Sequence, residues 1–459
     1  MSNLQTSLAY FIDIQKGERM KTALLFLWFF LFICVYYVLR PVRRGLVLDG
    51  LGNENMPFVY IGTALVTGIV VYIYSKFAHF PRKPLIASIY GIFIVNLLAW
   101  WQLFQNPTGL TSGIFWVWLD VFSIMGVTLF WMYANDVFDS HSAKRLFGII
   151  AGGGGLGAVL GSSITAGLVE SVGSINLLLV AAGLVALTLS IFLLIERMNV
   201  TRTPELSAKE KSDKYDLSNV GNVFSQIFSN RFLLFLTLVV CFERITPDLV
   251  QFLYHEVLNT MATGSDAIAA LDANLERWRG ICEFAVEIFL VAAVMRKFGT
   301  GFSLASSGLA IAGSLACFAI FANPLIVVAI FHADESIRHS WFKSAKELTY
   351  TVQSREILYK VKPIIEMFFY RFSRGIAGVI IYLVNTVFAL GTGGILAVGG
   401  LAGIAWAFFG WQLHREFRRL EVKVQIDRAF EGSQARKEST AQRSPKGTEA
   451  GSSNETVSV

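Results

Sequence analysis

Stretches of eighteen residues or more without a charged side chain recur along this chain, at 22–39, 57–75, 84–119, 171–195 and 375–413. A bilayer's hydrocarbon core is about 30 Å thick and takes about 20 apolar residues per helix, so each stretch is long enough to span it. A soluble fold would have to bury several helices that are apolar on every face. The 459 residues are 54% hydrophobic and only 16% charged, which fits a membrane protein rather than two or three soluble domains.

The pattern predicts an all-α polytopic membrane protein with twelve transmembrane helices. They are expected at 22–40, 57–77, 84–104, 112–135, 146–169, 174–195, 232–254, 277–296, 300–322, 324–337, 363–389 and 392–413. The first is too long for a signal-peptide core and no cleavage pattern follows it, so it is kept as a mature helix. After the sixth comes RMNVTRTPELSAKEKSDKYDLSN, polar, charged and proline-bearing. This gives an N-terminal six-helix half at 1–195, a cytoplasmic linker at 196–231 and a C-terminal six-helix half at 232–415. The remainder, 416–459, is a basic cytoplasmic tail, expected to be structureless after about residue 430 because it lacks apolar periodicity.

Lysine and arginine fix an orientation, because they concentrate in cytoplasmic loops. With the N-terminus placed in the cytoplasm, 31 of the 39 Lys and Arg residues fall on the cytoplasmic side. Arg40, Arg43, Arg44, Arg277 and Arg279 fall outside, and Arg244, Arg371 and Arg374 fall within spans. Both termini are therefore expected inside, and the net charge of +6 belongs to a membrane surface rather than to nucleic acid. The cluster in YYVLRPVRRGL, at 36–46, defies the rule that accounts for most basic residues, and is expected either outside or, by preference, set into the protein near the outer end of helix one. The halves also echo each other. Tight basic turns, SKFAHFPRKPL and VMRKFGTGFSL, join helices two to three and eight to nine, and helices one and seven each reach a proline, Pro41 and Pro247. Two such halves resemble the major facilitator fold, in which substrate sits between the halves near mid-membrane.

A charge at mid-bilayer costs about 2.5–3.5 kcal/mol, so it faces a cavity or a partner. Asp120 interrupts FWVWLDVFSIM. Glu243, Arg244 and Asp248 lie in helix seven, where Arg244 and Asp248 have the spacing of a local pair. Glu283 and Glu287 share a face of helix eight, and Glu366, Arg371 and Arg374 lie in helix eleven. Glu366 and Arg371 have snorkelling at a helix end as the plain alternative, and Arg40 and Arg43 have an external headgroup contact. Arginine's planar fork holds carboxylate or phosphate through two parallel hydrogen bonds. Several arginines and a few carboxylates around a cavity suit a multiply charged anion, with the acids offsetting the arginines or carrying a coupling proton. Tyr36, Tyr37, Trp116, Trp118, Trp131 and Tyr133 could stack a base, although aromatic residues in membranes more often pack or form belts.

Cys34, Cys241, Cys282 and Cys317 are scattered through apolar segments, with neither metal-ligand spacing nor a disulfide framework. The run FGIIAGGGGLGAVLG at 147–161 lacks the strand-to-helix context of a phosphate loop, so close helix packing or a flexible point is expected there. With no nucleophile–base pair, metal or phosphate-loop motif in a suitable setting, no enzyme, metal or cofactor is expected.

FWMYANDVFDSHSAKRLFGIIAGGGGLG, residues 130–157, resembles the helix four to five region of the ATP/ADP translocases of plastids and obligate intracellular bacteria. The shared elements are Phe130, Trp131 and Asn135, then Ala143, Lys144 and Arg145, with the family's upstream acid falling on Asp120. The segment RHSWFKSAKELTYTVQSREILYKVKPIIEMFFYRFSRG resembles the family's long cytoplasmic stretch through Lys346, Glu347, Tyr350, Lys362, Glu366, Arg374 and Gly375. Helix one matches through Tyr37, Leu39, Arg40 and Arg43. Over residues 20–415 the resemblance implies a divergent bacterial member with a major-facilitator-like fold that transports nucleotides, often by exchange. Two positions depart from it. Arg44 stands where an acid is usual, and no lysine follows Glu243 at the usual place.

The expected function is secondary transport of a nucleotide or similar anionic metabolite across the inner membrane by alternating access, by a monomer. Arg40, Arg43, Asp120, Asn135, Glu243, Arg244, Glu287, Arg371 and Arg374 are the candidate substrate contacts. A proton-coupled transporter of another solute, such as a siderophore or peptide-like anion, is the alternative. A third possibility is a membrane scaffold whose 338–362 loop and tail recruit a cytoplasmic partner.

Overall fold

The computed structural model describes residues 18–77, 81–138, 140–198, 220–289, 291–338, 342–353 and 361–443, together with Gln15 and Ile357. The stretch 199–219 of the expected linker and the last sixteen residues of the expected tail lie outside the described residues. No strand occurs among the described residues. Six helices form the N-terminal set: α1 (Arg19–Gly50), α2 (Met56–Phe77), α3 (Arg82–Leu103), α4 (Gly109–Val137), α5 (Ser140–Val172) and α6 (Leu177–Arg197). A short α7 (Val220–Ser229) then meets α8 (Arg231–Met261) at a bend of 98°. The chain continues through α9 (Ser265–Phe289), α10 (Val291–Phe321), α11 (Pro324–Ile337) and the short α12 (Lys343–Thr349). Finally come α13 (Tyr370–Tyr382), flanked by π turns at Ile364–Phe369 and Leu383–Val387, and α14 (Gly391–Arg443).

Eight of the described helices are long and apolar enough to cross a membrane, nine if α7 and α8 are one broken span. Length and hydropathy alone therefore do not reach the expected count of twelve. Two physical reasons are visible. At 14 residues, α11 is only about 21 Å long. Along α9, charged side chains depress the hydropathy, and this also displaced the expected start of helix eight from Ser265 to 277. Pro41 lies inside α1 rather than just past its end, and Pro247 lies inside α8, as proline can where neighbouring helices satisfy the freed backbone. The expected gap between helices eight and nine falls at Gly299, whose φ of 74° breaks α10 in a region that glycine enters without strain. The helix α14 runs to Arg443 where no regular structure was expected after about 430. Its ending is rich in Arg, Lys, Glu, Gln and Ala, good helix formers that need no apolar face.

Buried apolar side chains form two clusters. One gathers α1 and α3–α6 around Trp28, Phe32, Phe122 and Phe130. The other gathers α8 and α10–α14 around Leu249, Tyr254, Phe331 and Trp406. The glycine run of α5 packs on α1, where a Cβ on Gly157 or Gly161 would collide with the carbonyl oxygens of Phe30 or Cys34. Close helix packing is thus what the run provides. The two sets meet where α9 packs against α1 and α5, and where α13 packs against α2. Small residues permit both contacts: Gly45 faces the Ser265 carbonyl and Gly378 faces that of Pro57.

Candidate functional site

The arginines of α1 diverge because successive helical residues point about 100° apart. Arg40 and Arg44, one turn apart, face α9 and α11, while Arg43 faces α4. On α9, Asp272, Glu276, Arg279 and Glu283 recur at helical spacing and share a face. Arg44 is fully buried and bonds Asp272 at 2.6 Å and Glu276 at 2.8 Å. Arg40 bonds Glu335 of α11 at 2.6 Å and Glu276 at 3.3 Å. Arg279 bonds Glu276 at 2.7 Å, Glu283 at 2.9 Å and Glu335 at 3.2 Å, and donates to the Tyr37 hydroxyl at 2.9 Å. Tyr254 of α8 donates to Asp272 at 2.8 Å.

A second group surrounds Asp120. One of its oxygens takes Arg43 at 2.7 Å and the other takes Arg374 of α13 at 2.6 Å. Arg43 lies 3.9 Å from the centre of the Trp116 ring, a cation–π contact that holds it from behind. Arg244 bonds Asp248 at 2.7 Å and the Tyr370 hydroxyl at 3.4 Å. Arg371 differs. It forms no ion pair among the described residues, and its Nε is buried without a hydrogen-bond partner.

Two adjoining cavities open here, of about 210 and 220 Å³, sharing Asp120, Arg244, Tyr370 and Arg374 in their walls. The first continues along Thr63, Thr67, Ser123 and Ile124 and includes Arg371. The second continues to Tyr36, Tyr37, Arg40, Arg43, Glu335 and Arg338. Together the walls carry six arginines, Arg40, Arg43, Arg244, Arg338, Arg371 and Arg374, against three carboxylates, Asp120, Asp248 and Glu335. The low dielectric around this excess of positive charge strengthens attraction for an anion. Additional bonds between the sets, Asn53 to the Phe252 carbonyl and the Ser174 amide to Asp266, lie near the α1–α2 turn.

A family model described as TLC ATP/ADP transporter matches residues 111–399, more than half of the chain. The chain belongs to the TLC ATP/ADP transporter family. ADP,ATP carrier protein 1 of Chlamydia pneumoniae is 24% identical to it, over 79% of this chain and 84% of that protein. ADP,ATP carrier protein 3 of Rickettsia felis is 21% identical, over 80% of each. Among solved structures, a POT family transporter in complex with 5-aminolevulinic acid superposes with a TM-score of 0.59 at 13% identity, covering 85% of this chain and 95% of that one. The nucleoside transporter NupG superposes with a TM-score of 0.58 at 14% identity, covering 87% and 98%. The fold is thus that of a polytopic, major-facilitator-like transporter.

Within this TLC member the candidate residues separate. Arg40, Arg43, Asp120, Arg244, Arg371 and Arg374 all line the cavities. Glu243 does not; it bonds Lys346 of α12 at 2.6 Å. Lys346 also bonds Glu366 at 3.1 Å, and Glu366 accepts from the Tyr350 hydroxyl at 3.0 Å. The lysine missing after Glu243 in sequence is thus supplied in space by the Lys-Glu-x-x-Tyr element. Burial alone would lower the Lys346 pKa, but Glu243 and Glu366 raise it overall, so the ammonium stays charged. Asn135 is exposed near the end of α4 and donates to the Trp131 carbonyl one turn back, away from the cavities. The Glu287 side chain lies outside the described ones. Of the aromatic candidates, Tyr36 and Tyr37 line the cavity. Trp118, Trp131 and Tyr133 pack among other rings, and Trp116 backs Arg43.

Arg44 is buried in the α1–α9 network, in keeping with a cluster set into the protein, whereas Arg279, expected in an external loop, is buried in the same network and Arg338, expected in a loop, lines the cavity. Asp272, Glu276 and Glu335 were not candidates at all. Their signal was present, since acids at 272, 276 and 283 repeat at helical spacing opposite an arginine cluster that needed partners.

Proposed function

We propose that this protein is a secondary transporter that moves a nucleotide of the ATP/ADP type, or a similar multiply charged anion, across a bacterial inner membrane by alternating access. The observation that carries the reading is the cavity wall with three more arginines than carboxylates, one of which, Arg371, has no ion-pair partner among the described residues. A phosphate chain would take Arg371 first and then compete with Asp120 for Arg43 and Arg374. Sites for drug-sized ligands occupy about 300–1,000 Å³, so the two cavities must join, and opening the Asp120 pairs would join them. The named relatives are ADP,ATP carriers, which supports nucleotides over other anions.

The bonds between the two helix sets lie between the level of Tyr37 and the α1–α2 turn, which makes this an arrangement closed at that end. The lysine and arginine distribution supports assigning that end to the outside and both termini to the cytoplasm. The halves, residues 1–195 and 232–415, would then rock about the cavity, with 196–231 as the linker and one chain as the working unit. Uptake of labelled ATP and ADP into proteoliposomes, with and without internal nucleotide, tests the reading. Uptake accelerated by internal nucleotide supports it. Absence of uptake for any nucleotide sinks it.

A further inference from the structure

Beside the cavity lies a titratable group that anion binding does not use. His332 of α11 sits with Glu276 of α9 and Glu335 of its own helix, a ring nitrogen and two carboxylate oxygens all within 4.8 Å of one another. Among the described residues neither ring nitrogen of His332 has a hydrogen-bond partner, although both are shut off from solvent. An unsatisfied buried polar group costs about 1–3 kcal/mol. An imidazole beside two carboxylates can escape that cost by taking a proton, because both nitrogens then donate.

Paired charges surround this group. In the surrounding network five carboxylates, Asp272, Glu276, Glu283, Asp334 and Glu335, share four guanidiniums, those of Arg40, Arg44, Arg279 and Arg338. The helix α1 contributes Tyr37, Arg40 and Arg44 to this surround, and α8 contributes Tyr254, whose ring stands edge-on to His332 at 5.4 Å. The helix α10, which also packs on α11, carries Cys317 and, in its N-terminal part, Arg296 and Lys297.

We propose that His332, with Glu276 and Glu335, binds a proton that is taken up together with each anion; this rests on the transport reading above and adds a co-substrate to it. Arg40 is the link. It lines the cavity and holds Glu335 at 2.6 Å, so an entering phosphate draws it from that carboxylate. Glu335 then loses its nearest cation, and a proton from water settles on the His332 imidazole between the two acids. No other bond changes. The coupling is reciprocal, since protonation frees Arg40 for the anion. A divalent cation is opposed at this place by Arg40 and Arg279, which already contact both carboxylates.

Calorimetric titration of the purified full-length protein with ATP near pH 7, in buffers of different ionisation heat, counts the protons taken up. About one proton per bound nucleotide is expected for the wild type, and close to none for His332→Gln. Glu335→Gln removes one of the two acids beside His332 and is expected to abolish the uptake independently. In proteoliposomes, a one-unit pH gradient is expected to drive about tenfold accumulation in the wild type and none in His332→Gln. Nucleotide binding without proton uptake, or uptake unchanged in both variants, overturns the proton site while leaving the anion reading standing. Loss of gradient-driven accumulation on adding EDTA overturns it in favour of a metal cation. Absence of nucleotide binding altogether overturns the transport reading first.

Discussion

Arg44 and Arg371 are the same side chain in opposite circumstances. Arg44 is fully buried between Asp272 and Glu276, and removing one partner of a buried pair costs about 3–5 kcal/mol because the other charges are stranded. Arg44→Ala is therefore expected to lower the thermal unfolding temperature sharply, measured on purified protein in detergent. Among the described residues Arg371 has no such partner to strand. Arg371→Ala is expected to leave that temperature almost unchanged while weakening nucleotide binding. A charge-assisted hydrogen bond is worth about 1.5–3 kcal/mol, so the loss should be about ten- to a hundredfold. At this scale the sequence was informative where a residue broke a rule. Arg40, Arg43 and Asp120 stood out because arginine outside and an acid mid-span each need an explanation. Asn135 stood out only through the family motif, and it bonds its own helix instead.

At the scale of elements, apolar stretches marked most helices, whereas α9 was half hidden because the charges that make its inner face useful also lower its hydropathy. The glycines of α5 were legible as packing residues, since no strand preceded them. A leucine at Gly157 would meet the Phe30 carbonyl of α1, so Gly157→Leu is expected to prevent accumulation of folded protein, whereas Gly152→Ala, with nothing within 4 Å, should be tolerated. Size-exclusion profiles of the two variants check this. The Lys346 junction of α8, α12 and the π turn before α13 was not legible, because it depends on a loop residue reaching Glu243 across 103 positions. Its pKa is raised, so the stabilisation is fully present below the ordinary lysine value of about 10.4 and is lost only as pH rises through the raised one. The junction should thus hold unchanged between pH 6 and 9, and Lys346→Met should destabilise the protein equally across that range.

For the whole molecule, arginine pairs fasten the two helix sets at the α1–α2 turn end, and the cavity lies just beneath. Under the proposed reading, an anion that competes for Arg40, Arg43 and Arg374 would loosen those pairs and so tie substrate binding to movement of the sets. Spin labels at Asp49→Cys and Thr263→Cys, in a background lacking the four native cysteines, report on that end. Nucleotide is expected to add a longer-distance population. The central claim is that the cavity recognises a phosphate chain through unpaired positive charge, and equilibrium binding of ATP, ADP, AMP and adenosine tests it most directly. The account expects affinity to rise with each phosphate, and that gradient to flatten in Arg371→Ala. Equal affinity for all four ligands, or a gradient untouched by the substitution, would contradict it.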